Sequence, residues 1–299
     1  MTIARFSIVI PTYNRQMQLA RCLASLAELN YPREQFEVIV VNDDETTTLA
    51  KLADEFRLKL NLTLLTQPHA GPAQARNTGA RAARYEFLAF TDDDCAAAPD
   101  WLTRLVAALA HNPGALVGGH TVNALPLNSY SAASQLLIDY IYGYYNAQPE
   151  AARFVASNNI ALSLNDFLEV GGFDTSFPRA AAEDREFCDR WRHTGRAIVY
   201  APDAIIYHAH ALNARKYLRQ HLNYGRGAYH FHRIHARRER EGKIRVEPLS
   251  FYLDLIRAPV KQAHGWHRLK LSTLLFASQA ANTAGYALER LRPTHDKQN

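Results

Sequence analysis

Short apolar runs alternate with helically spaced ones through the first part of the chain. Phe6-Ser-Ile-Val-Ile10 ends at Pro11, and Leu19, Cys22, Leu23 and Leu26 then recur at the spacing of one helix face. Phe36–Val41 predicts a second buried strand, Thr46–Phe56 a helix, Leu62–Leu65 a third strand and Phe87–Phe90 a fourth. Between the last two, Pro72–Ala83 is alanine-rich and opens on proline, whose missing N–H costs nothing in a first helical turn. This β-α-β-α succession predicts an α/β fold with a mostly parallel sheet covered by helices on both faces. Further on, the pattern predicts a helix over Asp100–Ala110, a strand over Ala115–Val122 and a helix over Ser129–Tyr145. A short helix closed by Gly171-Gly172 and a helix over Glu183–His193 stopped by Gly195 follow. Two short strands within Ala197–His208 are separated by Pro202, and from Asn213 the pattern is helical to the end.

With 47% hydrophobic residues, the 299-residue chain can bury a substantial core, which excludes global disorder. Cys22, Cys95 and Cys188 are odd in number and widely spaced, so no disulfide framework is implied and a reducing, cytoplasmic setting fits. The apolar stretch before Pro11 is too short for a signal peptide. Leu271–Leu288 is uncharged but carries Ser272, Thr273, Ser278, Gln279, Asn282 and Thr283, too polar for a membrane span.

Charge divides the chain further. Residues 1–210 carry a net charge of −6, residues 211–245 of +8 and residues 246–299 of +3. The basic stretch has no accompanying nucleic-acid motif, so no nucleic-acid partner is expected. Tyr217, Leu218, Leu222, Tyr224, Tyr229, Phe231 and Ile234 interleave with its basic residues, and Trp266 follows beside His264, His267, Arg268 and Lys270. Two readings stay open: peripheral contact with an anionic membrane or a lipid-diphosphate acceptor, or inward packing of the aromatics beneath arginine stems.

In an open α/β sheet, ligands bind beyond the carboxyl ends of the strands. That rule selects Pro11–Arg15, Asn42-Asp43-Asp44 and Thr91-Asp92-Asp93-Asp94, which are expected to converge on one crevice. Three adjacent carboxylates oppose one another's ionisation. A hard cation such as Mn²⁺ or Mg²⁺ relieves that conflict, taking one or two carboxylates and completing its shell with diphosphate oxygens and water. Asp92-x-Asp94 is therefore a candidate metal–diphosphate site, against the plainer reading of a solvated turn. Asp43 and Asp44 offer acceptors for a base N–H or a ribose hydroxyl, or form an Asx-turn. Glu183-Asp184 opens a helix, where acids serve the helix dipole, or supplies a general base for an acceptor hydroxyl. His208 and His210 alternate on a strand and are expected on opposite faces, leaving one free to join the metal.

Taken together, these segments resemble the family 2 glycosyltransferases with the GT-A fold. The resemblance runs over about residues 4–210, through Ser7-Ile-Val-Ile-Pro-Thr-Tyr-Asn-Arg15, Val40-Val-Asn-Asp-Asp44, Gly71-Pro-Ala-Gln-Ala-Arg-Asn-Thr-Gly79, Phe90-Thr-Asp-Asp-Asp-Cys95 and Pro99-Asp-Trp-Leu102. It continues through Ser157-Asn-Asn-Ile-Ala-Leu-Ser163, Gly171-Gly-Phe-Asp174, Glu183-Asp184 and Gly195–Asp203 with His208. It implies a catalytic domain over 1–210, with a nucleotide-binding half (1–120) and an acceptor-binding half (121–210), followed by a basic helical extension (211–299). It also implies roles. Pro11, Thr12 and Tyr13 would sit against the nucleotide, Asp43 and Asp44 at the base and ribose, and Arg76 at the base or a phosphate. Asp92 would hold the ribose or a water of the metal, with Asp93 beside it, and Asp94 the metal itself, with His208 as a further ligand. Asp184 would be the base, with Asn159 and Glu183 on the acceptor side. The implied reaction is inverting transfer from a nucleoside-diphosphate sugar to a glycan, lipid-linked or protein acceptor. Asn42 stands where many members have Asp, and Asp44-Glu45 replaces a common Gly-Ser, which leaves the base open. Phe187 stands at the first position of the motif that ends in Arg190-Trp191 in processive members, against a chain-polymerising synthase.

Other functions fit less well. No GxGxxG follows the first strand and no GxxxxGK[ST] occurs, which disfavours a dehydrogenase or a P-loop enzyme. A dehalogenase-like phosphatase would need a nucleophilic Asp on the first strand, where Pro-Thr-Tyr-Asn stands. A nucleotide-sugar-binding protein without turnover would have lost Asp92, Asp94 or Asp184, and all three are present.

Overall fold

A computed structural model describes residues 3–177, 181–239, 247–261 and 265–292. Residues 240–245 of the basic segment, and His264, lie outside the described residues. The chain forms two compact units, one of residues 1–126, 141–176 and 184–210, the other of residues 127–140, 177–183 and 211–299.

The first unit is built on an eight-stranded sheet. Its strands are β1 (Phe6–Thr12), β2 (Phe36–Asn42), β3 (Leu62–Thr66), β4 (Phe87–Thr91), β5 (Cys95–Ala97), β6 (Leu116–Asn123), β7 (Asn159–Ser163) and β8 (Ile198–His208), in the order β3-β2-β1-β4-β7-β6-β8-β5. The first four pair parallel, as the β-α alternation requires. β7 runs antiparallel to both β4 and β6, β5 antiparallel to β8, and β6 parallel to β8.

Both faces of the sheet are covered. β1 and β2 are buried along their whole length, and their side chains sort by the two-residue period of a strand. Phe6, Ile8 and Ile10 join Phe36, Val38 and Val40 in one core with α1 (Gln16–Ala27), α2 (Ala50–Arg57) and α4 (Trp101–His111). Val9 faces the other way, into a core with Leu88, Phe90 and side chains from α3 (Pro72–Arg81), α6 (Leu164–Glu169) and α7 (Glu183–His193). Phe90, Phe167, Phe173 and Phe187 form an aromatic cluster there, with centroids 4.8–5.7 Å apart.

Three local expectations change. The helix predicted from Thr46 begins only at Ala50, because Asp44 captures the Thr46 N–H and the hydroxyls of Thr46 and Thr47 and holds this stretch in a turn. The two strands predicted around Pro202 are one strand, β8, with a bulge. Its pairing with β6 jumps from Gly119–Ala201 to His120–Ile205, so Pro202, which has no N–H to give, sits where the ladder is interrupted. Cys95–Ala97 pairs as a short strand that is too brief to leave a periodic signal.

The second unit contains most of α5 (Ser129–Tyr145), with α8 (Ala214–Arg238), α9 (Leu249–Arg257) and α10 (Gly265–Arg290). α8 and α10 touch backbone to backbone: a Cβ on Gly225 would collide with the Asn282 carbonyl, and one on Gly285 with that of Leu222. Glu289 is buried, with His230 Nε2 at 3.1 Å, Arg292 at 3.3 Å and Arg226 at 3.7 Å from its carboxylate oxygens. Of the apolar residues interleaved in the basic stretch, Tyr217 and Phe231 pack inward, while Leu218 and Tyr224 are exposed. No described helix is long and apolar enough to cross a membrane.

Candidate active site

The carboxyl ends of β1, β2 and β4 do converge. Thr12, at the end of β1, accepts the Asp43 N–H on its carbonyl at 2.9 Å and donates its hydroxyl to Asp93 Oδ2 at 2.7 Å. Pro11 is buried beside it. Asn14 adopts a left-handed conformation (φ 54°), which asparagine tolerates, and its amide oxygen accepts from Thr47. That turn delivers Arg15 to the front of α1, where Nη1 lies 3.1 Å from Asp93 Oδ1 and 2.9 Å from Asp94 Oδ2. Tyr13 is exposed and its ring stacks on His69, with centroids 4.3 Å apart and a 32° tilt.

Asp43 organises the loop before α3. It accepts from Gln67 Nε2 at 2.7 Å and from the Ala70 and Gly71 amides at 2.9 and 2.8 Å, with His69 Nδ1 at 2.8 Å. Gly71 has φ 90°, a conformation glycine adopts freely, which lets both amides aim at one carboxylate. Asp44 is turned to Thr46 and Thr47, whose hydrogen bonds hold its carboxyl below the usual carboxylate range. Asn42 donates to the Asp44 and Thr47 carbonyls, and its own buried Oδ1 has no hydrogen-bond partner among the described residues.

The three aspartates after β4 part company. Asp92 is half-buried and accepts from Arg76 Nη2 at 2.7 Å, the guanidinium itself being almost wholly buried in α3. Asp93 points inward to Thr12 and Arg15; burial pushes its pKa up to about 6, against the pull of Arg15. Asp94 shares its two oxygens between Arg15 and His208 Nε2, the latter at 3.1 Å. Burial opposes its ionisation, but the hydrogen bond and charge of His208, with Arg15, hold it at about 2. His208 is raised in turn: burial disfavours its charge, and Asp94 outweighs that.

His208 and His210 do not face opposite ways. Positions two apart on an extended chain share a side, and the two rings stack 5.0 Å apart, with burial and the His208 charge depressing His210 to about 4.

Among the described residues, the donor atoms of Asp94, Cys95 and His208 gather within 4.8 Å of one another. Cys95 and His208 are cross-strand partners, so they share one face of the β5–β8 pair. Burial raises the Cys95 thiol well above its ordinary value, so it stays protonated and offers nothing to a hard ion. The oxygen and imidazole donors of Asp94 and His208 suit Mn²⁺ or Mg²⁺. A guanidinium already stands at Asp94 Oδ2, the position of a countercharge.

Asp184 opens α7, half-buried, with the Arg185 N–H on its Oδ1 at 2.8 Å. Burial raises its pKa, the Arg185 amide and Arg76 oppose the rise, and Asp92 adds to it. Glu183, one residue earlier, is buried. Asn159, expected on the acceptor side, pairs with Thr91 at the end of β4. It is fully buried, accepts from Trp101 Nε1 at 2.8 Å and donates to the His120 and Ala204 carbonyls at 3.0 and 2.9 Å. Its amide is spent tying α4 and β6 to the bulge of β8.

Sequence reasoning gives Arg15, Gln67 and His69 no role, yet they hold Asp93, Asp94 and Asp43. Arg15 lies inside the opening motif and was legible by position; Gln67 and His69 lie in a loop with no periodic signal.

Residues 7–167 match the family model described as glycosyl transferase family 2. The chain belongs to glycosyl transferase family 2. Among its relatives in this family, it is 27% identical over 212 residues to the glycosyltransferase AglE of Haloferax volcanii, a match covering 68% of this chain and 66% of that protein. It is 28% identical over 228 residues to the pre-mycofactocin glycosyltransferase of Mycobacterium tuberculosis, covering 74% of this chain and 46% of that one. The matches thus span less than the full length of these relatives. In fold, the chain resembles a mannosyltransferase of Pyrobaculum calidifontis solved with GDP-Man and Mn²⁺, at a TM-score of 0.63 and 21% identity over 98% of this chain and 82% of that one. It also resembles Staphylococcus aureus TarS residues 1–349 solved with UDP-GlcNAc, at a TM-score of 0.56 and 18% identity over 96% and 90%. The α/β architecture is that of the GT-A glycosyltransferases.

Proposed function

We propose that this family 2 protein transfers a sugar from a nucleoside-diphosphate donor to an acceptor hydroxyl with inversion, in polysaccharide, envelope-glycan or glycolipid synthesis. The observation that carries the reading is the meeting of three strand ends, where Asp92, Asp93 and Asp94 face Arg15, Arg76 and His208. Thr12, Tyr13 and the loop ordered by Asp43 line the nucleotide end in this reading, and residues 121–210 the acceptor end.

Tyr13 and His69 offer a flat platform for a base. Arg76, pinned by Asp92, holds positive charge where a diphosphate would lie. Asp94 and His208 would hold a divalent ion, which when bound supplies positive charge against the negative charge growing on the departing diphosphate. Asp184 accepts the acceptor proton as the hydroxyl oxygen bonds to the anomeric carbon from the face opposite the leaving group. The bond from that carbon to the diphosphate oxygen breaks, and the nucleoside diphosphate leaves with both electrons. No covalent enzyme intermediate is required. The basic extension is proposed to bring this chemistry to an anionic surface or a lipid-linked acceptor.

The test is melting of the protein with UDP, GDP and dTDP, with and without Mn²⁺, followed by nucleotide release from the corresponding sugars. One diphosphate is expected to raise the melting point through linkage, and Asp94→Ala to remove its dependence on Mn²⁺. If none of the three shifts the melting point or is released, the reading falls.

A further inference from the structure

α10 has two unlike faces. Leu271, Leu275 and Ser278 are buried, the two leucines sharing a cluster with Tyr217 and Leu255. On the other side Trp266 is 85% exposed, Leu269 57% and Phe276 62%. At 3.6 residues per turn these three fall within about 80° of arc. The exposed Ala280, Ala284, Ala287 and Leu291 continue the same stripe to the end of the helix. Residues 265–270 are exposed on every side and carry His267, Arg268 and Lys270, and residues 265–288 contain no acid. Trp101 and Trp191, the other two tryptophans, are fully buried.

We infer that α10 lies flat on an anionic lipid surface, inserting Trp266, Leu269 and Phe276 between headgroups while Arg268 and Lys270 meet the lipid charge. A narrow apolar stripe along a long helix, bordered by basic residues and lacking the length of apolar sequence for a span, is the pattern of an interfacial helix. A second copy is a poorer occupant. Both ends of α10 are basic, with Arg268 and Lys270 at one and the exposed Arg290 at the other, where Arg292 is paired with the buried Glu289. Pairing two copies along this stripe, in either direction, sets like charges against each other. An anionic surface satisfies both ends. Within the basic extension the inference thus favours α10 over α8, where Tyr217 and Phe231 pack inward although Leu218 and Tyr224 are exposed.

The inference does not depend on sugar transfer, and its test uses neither donor nor acceptor. The full chain is mixed with phosphatidylcholine vesicles with and without phosphatidylglycerol, and tryptophan emission and co-sedimentation are followed. With Trp101 and Trp191 buried, Trp266 dominates any change. A blue shift and sedimentation are expected with the anionic vesicles at low salt, with quenching by lipids brominated near the headgroup. Arg268→Gln or Lys270→Gln should each weaken partition about fivefold. Phe276→Asp should weaken it at least about tenfold, and Trp266→Ala should abolish the blue shift. These side chains are exposed, so melting points should stay unchanged, and Asp184→Asn should bind vesicles like the parent chain. No shift with anionic vesicles, or an equal shift with phosphatidylcholine alone, overturns the inference. A shift that follows protein concentration without lipid overturns it in favour of a second copy.

Discussion

Arg15 Nη1 sits 2.9 Å from Asp94 Oδ2, while His208 holds the other oxygen of the same carboxylate at 3.1 Å. Asp94 is therefore a two-partner acceptor, and Arg15 competes with a cation for the oxygen it holds. Arg15 is the half-exposed one, at 48%. Replacing Arg15 with alanine should let Mn²⁺ bind the nucleotide-free protein more tightly, by up to about fivefold, as expected for losing an exposed charge competitor. Paramagnetic resonance of free Mn²⁺ during titration measures this directly. Unchanged or weaker binding would mean that Arg15 does not contest the site.

Asp184 gives a pH prediction. Its raised pKa comes first from burial, and a general base works only when ionised. Activity should therefore fall on acidification at a pH above the ordinary carboxylate range, since the proton returns to Asp184 earlier than to a free carboxyl. Asp184→Asn should lower the rate of transfer by about 10²–10⁴-fold and leave donor affinity unchanged. A variant that keeps the parent rate would shift attention to Glu183.

Tyr13 should matter for the nucleoside and not for the metal. If a base stacks on the Tyr13–His69 pair, Tyr13→Ala should weaken nucleoside-diphosphate binding by about 0.5–1.5 kcal/mol. Tyr13→Phe should be nearly silent, and the Mn²⁺ affinity of the free protein should not move. Calorimetry with the preferred diphosphate distinguishes these outcomes, and equal loss in both variants would point to the hydroxyl.

The α8–α10 contact predicts a stability effect. Gly285→Val would drive a side chain into the Leu222 carbonyl, and overpacking against backbone costs about 1–3 kcal/mol or more. Gly143→Ala, with open space at its Cβ, is the matched control. It should hold or slightly raise the melting point, since alanine is the better helix former. Calorimetric melting of both variants is the measurement.

Much of the fold was legible because burial on both sheet faces leaves long apolar strands, and those need no knowledge of partners. β1 and β2 are such strands, and the helix periods between them are clear. The three strand-end segments were legible for the same reason: their places follow from where the strands stop. What escaped depended on side chains reaching across the chain. Asp44 is the local exception: it takes the turn that the sequence left open, binding Thr46 and Thr47, and so delays the next helix. Asn159 stands in a family motif, yet Trp101 and the carbonyls of His120 and Ala204 consume its amide. Local sequence cannot display a contact made by a residue that is distant along the chain.

The bulge in β8 carries a consequence of parity. Between Gly119–Ala201 and His120–Ile205 the β8 strand advances four residues while β6 advances one. The slip is three, an odd number, so the inward and outward positions of β8 exchange. Val199 and Ile206 both reach the same core although seven residues separate them, and a straight strand would put them on opposite sides. His208 follows Ile206 in this inverted count and so arrives on the side of its cross-strand neighbour Cys95, within reach of Asp94. Removing Ala204 alone would leave the Gly195–Asp203 segment and His208 itself intact and still turn His208 away from Asp94.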